Sequence, residues 1–287
     1  MENRISGTTT LLGLIGSPVG HSGSPAMYNY SFQKLNLDYA YLAFDIQINE
    51  VKQAIEAIKT LKMRGCNVTM PCKTEVVQYM DELSPAAQII GAVNTIINDH
   101  GHLTGHITDG IGFIDDLKSH NIDIKDKKIV VCGAGGAATA IQVQSALDGA
   151  KSITIFNAKD NFFQRALTTV EKIKKVKPDC QINIYDINDQ QQLKKEMDQC
   201  DIFVNATIVG MKPMDDQSII KDVTMFHQDL IVYDIVYNPV ETQLLKEAKQ
   251  AGCHCFSGQG MLIWQGAAAF KLYTGQDMPV EEVKKMF

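Results

Sequence analysis

Cys132-Gly133-Ala134-Gly135-Gly136-Ala137-Ala138 follows the apolar run Ile129–Cys132 and opens the helix-forming run Ala137–Leu147. A G-x-G-x-x-A string carries little weight alone. Between a strand and a helix of one βαβ unit it becomes a dinucleotide signature. Gly133 permits the tight turn, Gly135 lets the backbone approach a pyrophosphate, and Ala138 lets helix and strand pack closely. Ala134, Gly136 and Ala137 complete a cradle in which the helix N-terminus offers N–H groups to the phosphates. The plain alternative is a strand-to-helix turn with small residues for packing; the βαβ context favours the dinucleotide.

Working outward, strands and helices alternate along the whole chain, the pattern of a parallel sheet wrapped by helices. Downstream, strands are expected at Ser152–Phe156, Ile182–Tyr185, Ile202–Asn205, Leu230–Ile235 and His254–Phe256, with helices at Asn161–Val176 and Thr242–Ala251. Upstream, the pattern predicts strands at Leu11–Gly16, Tyr39–Phe44 and Gly65–Val68. Helices are expected at Pro25–Leu35, Glu50–Leu61 and Lys73–Met80, and a hairpin at Asp99-His100-Gly101. With 287 residues, about 150 per domain implies roughly two domains. The character changes between Gly110 and Lys128, where a polar loop precedes the nucleotide unit.

Composition excludes several classes. The net charge of −6 removes a global basic field for nucleic acid or anionic lipid. No apolar run approaches a membrane span, and the polar N-terminus lacks a signal-peptide pattern, so a cytoplasmic protein without membrane partners is expected. Seven scattered cysteines suit a reducing compartment. Cys253-His254-Cys255 has no second pair at zinc spacing and reads as a buried strand, so no metal is expected.

The second strand of the nucleotide unit ends at Asn157-Ala158-Lys159-Asp160, where an adenosine ribose would sit. Asp160, 27 residues after Gly133, can accept from a 2′-OH and would repel a 2′-phosphate. The only arginines are Arg4, Arg64 and Arg165, none in this tetrapeptide, and Lys159 offers a point charge. The balance favours NAD and keeps NADP open.

A second constellation lies upstream: Ser22 and Ser24, Thr69 and Lys73, Asn94, and Asp109. Each stands at or beyond the end of an expected strand, where open α/β sheets bind ligands. Hydroxyls, an amide, an ammonium and a carboxylate form an inventory suited to a polyhydroxylated carboxylate. Taken singly, each residue also reads as a turn, a cap or a solvated charge.

Together these motifs resemble the shikimate dehydrogenase family, and within it the quinate/shikimate, NAD-accepting branch. The resemblance runs from about Gly13 to Pro279. It is carried by Ser22-Gly-Ser-Pro25, Asn67-Val-Thr-Met-Pro71 with Lys73, Gly91-Ala-Val-Asn-Thr95, Thr108-Asp-Gly110, Gly133-Ala-Gly-Gly-Ala-Ala138, Asn205-Ala-Thr207 with Gly210-Met211, and Gly260-Met-Leu262 with Gln265. It implies an α/β fold of two domains with a cleft between them. One is a substrate domain over 1–115 completed by 262–287, onto which a last helix from Met261 to Tyr273 packs back; the other is a Rossmann domain over 116–261. It also implies hydride transfer between a nicotinamide and shikimate or quinate, in aromatic amino acid (chorismate) biosynthesis, and leaves a homodimer open.

By the same resemblance Lys73 is the catalytic lysine and Asp109 its carboxylate partner. Ser22, Ser24 and Tyr39 hold the substrate carboxylate, and Thr69, Asn94 and Gln265 the ring hydroxyls. Asn157, Lys159 and Asp160 meet the ribose, while Ile235, Tyr237, Asn238 and Gly258 approach the nicotinamide. Four residues depart from the family pattern: Ile107 for an Asn, Ile208 for a polar or basic residue, Gln259 for a Tyr, and Ala158 for an Arg. None touches the lysine–aspartate pair. Two other readings stand beside the enzyme: the same chemistry on another cyclohexane or cyclohexene carboxylate, and a non-catalytic NAD(H) sensor, which would have no use for Lys73, Asp109, Asn94 and Thr69 together.

Overall fold

The computed structural model describes residues 5–286. Arg4 and the outermost residues of the expected substrate domain, 1–4 and 287, lie outside the described residues. The chain divides into two compact units. One runs to Thr108 and resumes at Ile263, and the other is Asp109–Leu262.

In the first unit the strands are β1 (Thr10–Gly16), β2 (Tyr39–Asp45), β3 (Gly65–Val68), β4 (Glu82–Leu83), β5 (Thr95–Asp99) and β6 (His102–His106), in sheet order β2-β1-β3-β5-β6-β4. The helices are α1 (Ser24–Lys34), α2 (Val51–Thr60) and α3 (Pro85–Ile90). β1 pairs in parallel with β2 and β3, but β5 runs antiparallel to both β3 and β6. The sheet is therefore mixed, not parallel throughout as simple alternation implied. The β5–β6 reversal is the hairpin expected at Asp99-His100-Gly101, whose turn residues His100 and Gly101 both take positive φ (54° and 98°), matching the strand twist.

The helix expected over Lys73–Met80 is only a 3₁₀ segment, Glu75–Tyr79. In an α-helix the Lys73 carbonyl would accept from Val77. Here it accepts from Val93 N–H at 2.8 Å, and Val77 turns to Thr74 instead. The core of this unit is aromatic. Tyr28 stacks on Tyr41 with centroids 4.4 Å apart, and Phe32 on Phe270 at 5.4 Å.

The second unit carries β7 (Lys128–Cys132), β8 (Ser152–Asn157), β9 (Gln181–Asp186), β10 (Ile202–Asn205), β11 (Ile231–Asp234) and β12 (His254–Ser257). All pair in parallel, in order β12-β11-β10-β7-β8-β9. Counted from β7 as the first strand this is 3-2-1-4-5-6, the doubly wound dinucleotide-binding order. Its helices are α4 (Asp109–Ser119), α5 (Gly136–Leu147), α6 (Asn161–Val176), α7 (Gln190–Met197) and α8 (Gln243–Gln250). α9 (Gly258–Thr274) starts three residues before the expected Met261 and continues into the first unit from Ile263, where α10 (Val280–Val283) also lies. β7 and β10, the neighbours at which strand order reverses, bring the loop after Cys132 beside the loop after Asn205.

Candidate active site

In the first unit a buried polar network runs through the ends of the strands. Asn94, 3% exposed, turns its side-chain oxygen inward. Oδ1 accepts from the Thr108 N–H at 2.9 Å, the Thr95 hydroxyl at 3.0 Å and the Thr108 hydroxyl at 3.2 Å. The Thr108 hydroxyl also reaches Gln265 Oε1 at 3.5 Å. Asn94, Thr108 and Gln265 thus form one cluster, and Asp109 is the next residue along the chain. Lys73 is half-buried, and its carbonyl is held by Val93, the neighbour of Asn94.

Asn67 extends the network. Its Oδ1 accepts from the Tyr41 hydroxyl at 2.8 Å, and its Nδ2 donates to Thr95 Oγ1 at 3.1 Å and the Asn94 carbonyl at 3.2 Å. The Ser24 hydroxyl lies by Tyr41 and works against the burial that pushes this phenol's pKa well up. The Tyr28 hydroxyl donates to the Gly266 carbonyl at 3.0 Å, next to Gln265. Ser24, Asn94 and Gln265, far apart in sequence, therefore sit on one hydrogen-bonded framework. Ser22 is joined to Ser24, whose N–H donates to Ser22 Oγ at 3.2 Å. Thr69 lies across the end of β1, where a Cβ on Gly16 (φ +148°) would collide with its side chain. Tyr39 packs on Phe32, centroids 5.3 Å apart.

Sequence reasoning passed over Asn67 and Tyr41 as site supports. Asn67 opens the Asn67-Val-Thr-Met-Pro71 motif, but only the pairing of β3 between β1 and β5 shows which way its amide faces. Of the departures, Ile107 is 4% exposed, a core side chain, whereas Ile208 is 67% exposed. Gln259 is half-buried in the first turn of α9.

In the second unit Gly133 (φ +115°) turns the chain tightly against β10, where any Cβ would strike the Ala206 carbonyl. Its carbonyl accepts from the buried Gln142 side chain at 3.0 Å. Gly135 is the N-cap of α5, and no side chain caps this end. An added Cβ at Gly135 or Gly136 would meet nothing within 4 Å. An uncapped helix N-terminus under open space fits the pyrophosphate of a dinucleotide. Ala134 is buried beside the turn, and Ala137 lies in the first turn of α5.

At the end of β8, Asp160 caps α6. Oδ1 accepts from Phe162 N–H at 2.9 Å, Phe163 N–H at 3.1 Å and Asn157 Nδ2 at 3.0 Å. Oδ2 takes part in none of these three bonds. Lys159 lies 4.0 Å from Asp186 at the end of β9. Ile235 and Gly258 touch through their backbones. The Gly258 N–H donates to the Val236 carbonyl at 3.1 Å, and a Cβ at Gly258 would strike Ile235. Tyr237 and Asn238 follow, both exposed. Among the described residues no group of three or more His, Cys, Asp or Glu is arranged to hold a metal, and no helix is long and apolar enough to cross a membrane.

Two family models match this chain: the shikimate dehydrogenase substrate binding domain over residues 14–96, and the shikimate 5′-dehydrogenase C-terminal domain over residues 258–285. A shikimate dehydrogenase (NADP(+)) of Listeria monocytogenes serotype 4b is 50% identical over 286 residues, covering 100% of this chain and 98% of that protein. The chain belongs to the shikimate dehydrogenase family. It is an oxidoreductase acting on a CH–OH group. A quinate/shikimate dehydrogenase of Escherichia coli O17:K52:H18 is 45% identical, covering 96% of each chain. The crystal structure of Listeria monocytogenes shikimate 5-dehydrogenase with shikimate and NAD superimposes with a TM-score of 0.97 at 49% identity, covering 100% of this chain and 99% of that one. Shikimate dehydrogenase relatives thus include both an NADP(+)-named enzyme and an NAD complex, and the family match bears out the resemblance read from the motifs.

Proposed function

We propose that this chain interconverts shikimate or quinate with 3-dehydroshikimate or 3-dehydroquinate, using NAD in preference to NADP. The unit ending at Thr108 and resuming at Ile263 holds the ring, and the unit from Asp109 to Leu262 holds the dinucleotide. The observation that carries this reading is the buried framework joining Asn94, Thr108, Asn67 and Gln265. It is a hydrogen-bonding lattice suited to a polyol and costly to bury without purpose.

A nicotinamide bound by the second unit would supply the hydride acceptor. The ring carbon can give up hydride only as the hydroxyl it bears loses its proton and becomes the ketone oxygen, so a base must lie within hydrogen-bond reach. Lys73 Nζ takes that proton during oxidation and returns it to the ketone during reduction, while Asp109 orients both the lysine and the hydroxyl. Ser22, Ser24 and Tyr39 hold the carboxylate; Thr69, Asn94 and Gln265 hold the remaining hydroxyls. Gly133 to Ala137 cradle the pyrophosphate. Ile235, Tyr237, Asn238 and Gly258 border the nicotinamide.

The preference for NAD rests on charge. Asp160 keeps Oδ2 outside its capping bonds and Asp186 partners Lys159, so two carboxylates gather where a 2′-phosphate would need cations. Asn157 braces Asp160 from the end of β8.

Initial rates of nicotinamide reduction with NAD or NADP, against shikimate or quinate at alkaline pH, test the whole reading. Turnover with NAD on either acid is expected. Replacing Lys73 with Ala should lower it about 10²- to 10⁴-fold while leaving the fold and dinucleotide binding intact. Silence across all four combinations, or a fully active Lys73→Ala enzyme, would overturn it.

A further inference from the structure

Asp116 lies on α4, only 3% exposed, with His120 Nε2 3.9 Å from its Oδ1. Its Oδ2 accepts from the Tyr233 hydroxyl at 2.7 Å, and the same hydroxyl accepts from the Met261 N–H, in the first turn of α9, at 3.1 Å. Tyr233 is fully buried, edge-on to Phe113 with centroids 4.9 Å apart. Burial and the neighbouring carboxylate both push its phenol's pKa well above the ordinary value, so it remains a proton donor. On the other side of Asp116 stands Gly260, where a Cβ would land on the carboxylate itself. One turn of α9 is thus gripped twice. Tyr233 holds its N–H, and Asp116 occupies the space a side chain at residue 260 would need.

A buried carboxylate is a costly way to join α4, β11 and α9. An apolar pair of similar volume commonly serves stability as well or better. What the polar arrangement adds is direction, since a hydroxyl that donates to one group and accepts from another admits a single placement of the helix start. A negative charge near a helix N-terminus is also favourable to the helix. That first turn begins with Gly258, pressed against the Ile235 backbone, and the same helix later carries Gln265.

We propose that Asp116, acting through Tyr233, is a positioning residue that fixes the first turn of α9 and with it the Gly258 wall against which the nicotinamide ring is set. The proposal rests on the function argued above. It assigns Asp116 and Tyr233 no contact with substrate or dinucleotide. Their effect belongs to the geometry of hydride transfer, where small misplacements cost rate more than affinity.

Tyr233→Phe removes only the bridging oxygen, and Gly260→Ala pushes the carboxylate from the other side. Each is compared with the parent for kcat at saturating shikimate and NAD, dinucleotide Kd by calorimetry, and amide exchange across residues 258–262. Both variants should lose at least tenfold in kcat and exchange faster in that segment, with the dinucleotide Kd within about threefold of the parent. Asp116→Asn keeps an acceptor for Tyr233 and should recover most of the rate. Gly260→Ala carries the measurement should Tyr233→Phe fail to fold. A kcat within twofold of the parent in Tyr233→Phe or Gly260→Ala, or unchanged exchange at 258–262 in those variants, overturns the proposal. A parent silent on every substrate would instead strike the functional reading, while the exchange data would still decide whether Tyr233 holds the turn.

Discussion

Replacing Asn67 with Ala removes the member that ties β2, β3 and β5 together. Three hydrogen bonds go at once, at 2.8, 3.1 and 3.2 Å, each worth about 1 kcal/mol net. The Tyr41 hydroxyl, on a fully buried side chain, is left without this acceptor, a further penalty of about 1–3 kcal/mol. Thr95 loses less, because its hydroxyl still donates to Asn94 Oδ1. The sum, roughly 4–6 kcal/mol, is a large share of the about 5–15 kcal/mol that holds a typical protein folded. Urea denaturation of the parent, Asn67→Ala, Tyr41→Phe and the double variant would measure it. The two single costs should overlap by about 1–2 kcal/mol, since each removes the same Tyr41–Asn67 bond. Because Asn94 hangs on this framework, KM for the ring substrate should rise about tenfold while the dinucleotide Kd stays unchanged. A loss below about 1 kcal/mol, additive single variants, or an equal rise in the dinucleotide Kd would refute the reasoning.

Gly133→Ala should abolish dinucleotide binding measurable by calorimetry, because its positive φ and the Ala206 backbone leave no room for a Cβ; an unchanged Kd would show that the turn relaxes. Asp160→Ala should cost about 1 kcal/mol through the lost helix cap and raise KM for NAD but not for NADP; equal effects on both would leave Asp160 as a cap only. Asp234 is buried and accepts from Asn205, Val236 and Thr242, and desolvation, the dominant influence, pushes its carboxyl pKa up. The folded state therefore holds that proton more tightly than the unfolded chain. The contribution is fully present below the unfolded pKa near 3.8 and is lost as pH rises through the higher folded value. Denaturation of the parent and Asp234→Asn from pH 4 to 7 should show the parent's advantage shrinking with rising pH, and a widening gap would contradict the sign.

The dinucleotide unit was legible because its punctuation is chemical. Gly133 is a glycine for a backbone reason that no packing context can reverse, so strand, turn and helix follow from it. α7 escaped notice because Gln190–Met197 buries only Leu193 and Met197, too short a stripe to stand out from a polar loop. The late start assigned to α9 had a related cause. Gly258 and Gly260 read as loop residues, yet they are glycines inside a helix because Ile235 and Asp116 press against them. The missing α-helix after Pro71 has the same kind of origin: its deciding bond, Val93 N–H to the Lys73 carbonyl, joins segments about twenty residues apart and has no local signature.

The site divides along similar lines. Residue type is local, so a lysine, an aspartate and a set of hydroxyls and amides at strand ends could be read as an inventory for a polyol carboxylate. Orientation is not local. Asn67 and Asn94 are both amides near strand ends, and nothing in their neighbours separates them. The sheet does, by placing Asn67 between Tyr41 and Thr95 and by turning Asn94 Oδ1 toward Thr108. Asp160 shows the converse: its Oδ1 caps the helix, and under the function proposed above its Oδ2 is the oxygen offered to a ribose. Capping is a demand of the fold and would be met by Ser, Thr, Asn or Asp alike. Rejecting a 2′-phosphate requires the charge, which an Asn cap at residue 160 would lack. Asp160→Asn therefore separates what the helix needs from what the cofactor needs at this position.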